Sequence, residues 1–148
     1  MRSQQQSTNQ ILRQGLNKET GSPKETEKAL IHINALAKMG ILKFARIGGT
    51  VFTVSRISMA GKWLPATEAE LHMYTSEGLQ QIGERLSVLP NTLRGLGLKK
   101  AYTFVMDPAM LRVVQSGLQR SGVQPSVTNQ MQYTNGQMVP VYKVEVAL

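Results

Sequence analysis

The chain has 148 residues, 41% apolar and 18% charged, with a formal net charge of +8, a pI near 10.1 and no cysteine. That length carries one core rather than two, the composition is globular rather than disordered, and no apolar run approaches the roughly 20 residues of a membrane span. Without thiols there are no disulfides, thiolate nucleophiles or thiolate metal sites.

Residues 1–21 are polar, with Gln4, Gln5 and Gln6 in a row and no apolar signal core, so export by a signal peptide is not expected. Ile11, Leu12 and Leu16 sit at helical spacing, but the composition predicts a mobile arm ending at Gly21-Ser22-Pro23. Residues 22–148 then form the domain. Ser22, Pro23 and Glu25 make a capping-box start for a helix that buries Leu30, Ile33, Leu36 and Ala37 and stops at Gly40. Ile41–Ile47 and Thr50–Ile57 flank Gly48-Gly49 as a hairpin. A loop over 58–67 holds Trp63, read as a partly buried anchor, and Glu68–Tyr74 alternates as a strand.

Thr75 or Ser76 caps the next helix, where Leu79, Ile82 and Leu86 share a face and Leu89-Pro90 interrupts; Asn91–Lys100 is a Gly-rich basic connector. Ala101–Met106 is a strand, and Asp107-Pro108 caps a helix reaching about Ser121. The chain closes with a hairpin: Met131–Thr134, the turn pair Asn135-Gly136, and Gln137–Val146.

Asp107 is the only aspartate, and eight glutamates are the other acids. Two-metal nuclease and polymerase sites need clustered carboxylates, so no metal is expected. His32 and His72 fall in different elements, and a Ser-His-Asp triad would take Asp107 from its cap.

From Ile41 to Val146 the order is hairpin, strand, helix, strand, helix, terminal hairpin. This resembles the GNAT acetyltransferase superfamily, in which a central strand and its helix splay apart to admit the cofactor. The resemblance implies an α/β (α+β) fold, with a mixed, mostly antiparallel sheet flanked by helices. It is closest to the cut-down GNAT-like internal virion proteins of short-tailed bacteriophages, through Tyr74-Thr75-Ser76 leading into a helix and Asn135-Gly136-Gln137 in the last turn. Family enzymes hold the coenzyme A pyrophosphate with an Arg/Gln-x-x-Gly-x-Gly/Ala loop at a helix N-terminus. Here the cradle position reads Tyr74-Thr75-Ser76-Glu77-Gly78, where Glu77 would oppose the phosphates. The nearest match, Arg94-Gly95-Leu96-Gly97-Leu98-Lys99, precedes a strand instead of a helix.

The expectation is therefore a non-catalytic, GNAT-like virion or assembly protein without cofactor, in the virion or host cytoplasm, bound to other virion proteins and to nucleic acid. Lys43, Arg46, Arg56, Arg94, Lys99 and Lys100 are its candidate contacts with nucleic acid or another anionic partner. One alternative is an acetyl-coenzyme A-dependent N-acetyltransferase with a degenerate loop, using Arg94, Gly95 and Gly97. The other is a winged-helix nucleic-acid binder with the Gly48-Gly49 hairpin as wing.

Overall fold

The computed structural model describes residues 7–134 and 136–148. The chain runs α1 (Thr8–Thr20), α2 (Pro23–Lys38), β1 (Leu42–Ile47), β2 (Thr50–Ser55), β3 (Glu68–Thr75), α3 (Leu79–Gly95), β4 (Lys100–Val105), α4 (Pro108–Arg120), β5 (Ser126–Thr134) and β6 (Gln137–Ala147). The strands form one sheet in the order β1-β2-β3-β4-β6-β5. Every pairing is antiparallel except β3 with β4. This is the mixed, mostly antiparallel sheet flanked by helices that the element order predicts.

Strand alternation sends neighbouring side chains to opposite faces, each covered by a helical pair. Phe52, Val54, Leu71, Ala101, Val144 and Val146 meet the α3/α4 layer in one core. Val51, Tyr74, Leu42 and Phe44 meet the α1/α2 layer in another.

The second core corrects the expectation of a mobile arm over 1–21. Residues 8–20 are helical, and Ile11 and Leu12 are 0% exposed. Ser7 and Gln10 exchange bonds in a capping box, Ser7 N donating to Gln10 Oε1 at 2.8 Å and Gln10 N to Ser7 Oγ at 3.1 Å. Gly21 ends the helix at φ 64°. A Cβ at Gly15 would lie 2.9 Å from Tyr74 Cβ, so α1 sits directly on β3. Few apolar residues mark α1, yet all of them face the sheet, and burying them outweighs its polar composition. The glutamine run at 4–6 lies outside the described residues.

Three further differences have local causes. Pro90 does not end α3, which continues to Gly95. Leu89, Pro90 and Leu93 are all buried, and that packing offsets the lost backbone bond. The α3 N-cap is Gly78, not Thr75 or Ser76. Trp63, read as partly buried, is 62% exposed, with the Arg56 guanidinium 5.7 Å from its ring centroid. Of the terminal turn pair, Asn135 lies outside the described residues, while Gly136 has φ 79°. Asp107 caps α4 as read, its Oδ1 accepting from Ala109 N at 3.1 Å. The capping box at Ser22 forms only in half: Ser22 Oγ accepts from Glu25 N, but Ser22 N donates to Thr20 Oγ1.

Candidate active site

The parallel pairing of β3 with β4 lasts three residues, Glu68↔Lys100, Ala69↔Ala101 and Glu70↔Tyr102. Beyond it β3 continues to Thr75 and β4 to Val105 without pairing to each other. The Thr103 side chain crosses the opening, its Oγ1 donating to Leu71 O at 2.9 Å. Backbone direction alternates along a strand, so Met73 N–H and C=O lie on the same edge as Leu71 O, facing the gap. Here the split lies between two strands, where the resemblance implies a strand and its helix.

A cleft of about 660 Å³ fills this opening, with Leu71, Met73, Phe104, Val105, Met106 and Met110 in its mostly apolar lining. It reaches polar groups at one side. His72 Nε2 and Glu19 Oε1 are 2.7 Å apart, joining β3 to α1, and both line the cleft. With Glu19 ionised the carboxylate accepts the Nε2 proton, which leaves the Nδ1 lone pair as the basic site of the ring. The imidazole lies 4.6 Å from the Tyr74 ring, tilted by 42°. Burial, and then the Glu19 charge, push the Tyr74 phenol well above its ordinary range, so it stays protonated.

Tyr102 also lines the cleft; burial, then the Glu70 carboxylate, push its phenol up to about 12. Desolvation raises the Glu70 carboxyl in turn, although Met59 N donates to its Oε1 at 3.3 Å.

At the end of the sheet where the seam opens, α3 begins at Gly78, which has no side chain to cap the free N–H groups of the first turn. Beside that end, Arg112 and Arg120 of α4 line a shallow recess with Leu79, Gly83, Val113 and Ser116. The expected repulsion from Glu77 is corrected by its partners. Arg85 donates through Nη2 to Oε2 at 2.7 Å and through Nε to Oε1 at 3.0 Å, and Thr50 Oγ1 donates at 2.9 Å. The Arg85 guanidinium holds this carboxyl below its ordinary range and neutralises its charge.

Arg94, Gly95 and Gly97, proposed from sequence as cofactor contacts, lie at the other end of α3. Gly95 is its last residue, and Gly97, at φ 84°, follows in the turn. The negative end of the α3 dipole lies there, which disfavours an anion. Nor do the six candidate anion contacts stand free as a set. Arg46 Nε donates to Gly48 O, Arg94 Nη1 to Asn91 Oδ1, and Lys100 pairs with Glu68 and Glu145. Lys43 is exposed on β1, Arg56 lies beside Trp63, and Lys99 precedes β4. Glu19 was missed because it was assigned to the arm. The Ile11, Leu12, Leu16 spacing was the signal that α1 docks.

No family model and no curated protein sequence matches the chain. Solved structures do match. A spermidine N-acetyltransferase chimera from Vibrio cholerae and hSSAT is 15% identical, covering 95% of this chain and 92% of that one, with a TM-score of 0.61. An acetyltransferase from Salmonella typhimurium that modifies the N-terminal serine of a 50S ribosomal subunit protein is 16% identical, with 86% and 76% covered and a TM-score of 0.57. A microcin self-immunity acetyltransferase in complex with acetyl-CoA and AMP is 10% identical, with 86% and 72% covered and a TM-score of 0.57. The fold is the GNAT acetyltransferase-like fold. These matched structures are acetyltransferases, which contradicts the expectation of a non-catalytic virion assembly protein. Nothing in these likenesses supports the bacteriophage or DNA-binding readings. No helix among the described residues is long and apolar enough to cross a membrane.

Proposed function

We propose that this protein is an acetyl-coenzyme A-dependent N-acetyltransferase whose reaction takes place in the open β3–β4 seam. The observation that carries the proposal is the seam itself: after three parallel pairs the strands part around an apolar cleft of about 660 Å³.

The chain's groups suit the coenzyme in two places. The cleft is mostly apolar and edged by the gap-facing Met73 N–H and C=O, which would hold the amides of an extended acyl-pantetheine arm. The uncapped α3 N-terminus, with Arg112 and Arg120 beside it, would hold the phosphates through backbone N–H groups and guanidinium charge. This is how the chain manages without the family loop.

When bound, the coenzyme supplies a thioester carbonyl open to attack by an amine. An amine arrives as an ammonium ion and must lose a proton before it is nucleophilic. His72 Nδ1 is the group that takes it, with Glu19 holding Nε2 and balancing the positive charge that develops on the ring. Tyr102, protonated through the neutral pH range, is a cleft hydroxyl able to donate. The apolar walls limit the access of water that would compete with the amine.

Calorimetric titration with acetyl-coenzyme A is expected to give saturable binding with Kd below about 100 µM, roughly −5.5 kcal/mol. No binding at about 1 mM coenzyme would contradict the proposal. His72→Gln is expected to keep that binding while lowering acetyl transfer to a panel of amines by about 100-fold or more.

A further inference from the structure

The two edges of the sheet differ in the way that decides whether an edge is open to pairing. β1 is six residues long and carries the exposed cations Lys43 and Arg46. β5 is nine residues long, Ser-Val-Thr-Asn-Gln-Met-Gln-Tyr-Thr, with no charge, no proline and no glycine. Its register with β6 is unbroken from Ser126↔Glu145 to Thr134↔Gln137, so no bulge turns it away. Charges, prolines and bulges are the usual means of blocking an edge, and β5 has none of them.

We propose that β5 pairs antiparallel with β5 of a second copy, joining the two sheets into one. Charge favours a second copy as the occupant. In a chain of net charge +8, self-association needs a surface where cations do not meet, and β5 is an uncharged edge while β1 is not. Sequence symmetry favours it too. With the twofold axis on Gln130, Val127 faces Tyr133 of the partner subunit and Asn129 faces Met131 of the partner subunit. The first is an aromatic–β-branched pair of the kind that stabilises antiparallel strands. Counting from the closing pair Thr134↔Gln137, alternation turns the N–H and C=O of Val127, Asn129, Met131 and Tyr133 outward. These residues face one another in the symmetric pairing, so every outward group finds a partner. On the same side of the hairpin, Met131, Tyr133 and Met138 are 57%, 71% and 56% exposed, and the twofold axis brings two such patches together.

Sedimentation equilibrium of the full chain, without coenzyme, tests this independently of the enzymatic reading. The expected result is a species of twice the 16.3 kDa chain mass at about 100 µM protein. Asn129→Lys/Met131→Lys places four lysines around the axis and is expected to weaken dimerisation at least about 100-fold while far-UV circular dichroism is retained. Amide exchange at 127, 129, 131 and 133 is expected to be slow in the native protein and fast in this variant. Lys43→Ala, on the other edge, is expected to leave the dimer intact. A native chain that is monomeric at that concentration, a dimer that survives the double lysine substitution, or one that dissociates on Lys43→Ala would each overturn the proposal.

Discussion

The two helical layers of this protein are attached to the sheet in contrasting ways. The α3/α4 layer covers the larger core, and its helices meet at Gly83 and Gly117, where a Cβ on Gly117 would come within 2.8 Å of Gly83 O. The α1/α2 layer covers a smaller core with fewer apolar side chains, yet it brings Glu19 to His72 at the cleft. One layer supplies most of the apolar burial and the other adds a charged group to the site. A helix with a thin apolar stripe and a polar exterior can therefore be integral to the fold and to the chemistry at once.

The largest test of this contrast is removal of residues 1–21. Losing the burial of Ile11, Leu12 and Leu16, about 2 kcal/mol each, and uncovering Val51 and Tyr74 is expected to lower Tm by on the order of 10 °C or more. An unchanged melting temperature would show that α1 is not part of the core.

Single methyl additions probe each layer at its tightest contact. Gly117→Ala meets Gly83 O and Leu86 Cβ at 2.8 Å, and Gly15→Ala meets Tyr74 Cβ at 2.9 Å. Each is expected to cost about 1–3 kcal/mol in denaturant unfolding through overpacking. Helix propensity alone predicts the opposite sign, about 1 kcal/mol of stabilisation. A stabilised Gly15→Ala variant would mean that α1 does not press on β3.

A smaller, pH-dependent effect is expected at Glu77. Its folded pKa lies below the ordinary 4.5, so the stability it contributes is present above pH 4.5 and is lost as pH falls through the folded value. Glu77→Gln is expected to cost about 1–2 kcal/mol at pH 7 and less at a pH below its folded value. An equal loss at both values would separate its role from the Arg85 pair. At the start of α4, Asp107→Ala is expected to cost about 1 kcal/mol and Asp107→Asn almost nothing, both read from urea midpoints. A stable Asp107→Asn variant that binds coenzyme but transfers no acetyl group would instead place Asp107, which lines the cleft, in the chemistry.

Where the fold was legible in sequence, the signals were local and chemically specific. Ser22-Pro23, Gly48-Gly49 and Asp107-Pro108 each constrain the backbone within two residues, and the elements they bound are found there. Pro90 misled because its effect depends on how much apolar surface lies beyond it, which Leu93 supplies. A split beside the central strand was expected only through family resemblance, and between that strand and its helix rather than between two strands. Nothing in Leu71–Thr75 or Thr103–Val105 announces where parallel pairing stops. Glu19 and His72 are 53 positions apart and were brought together by the docking of α1, the one helix judged mobile.

The central claim is that the parted strands are the coenzyme site, and amide chemical shifts on titration with acetyl-coenzyme A test it most directly. The account predicts the largest saturable changes at Leu71–Tyr74, Thr103–Met106 and Gly78–Gln81, on the two sides of the seam and at the start of α3. Saturable changes confined to Arg94–Lys100, or none at any coenzyme concentration, would contradict it.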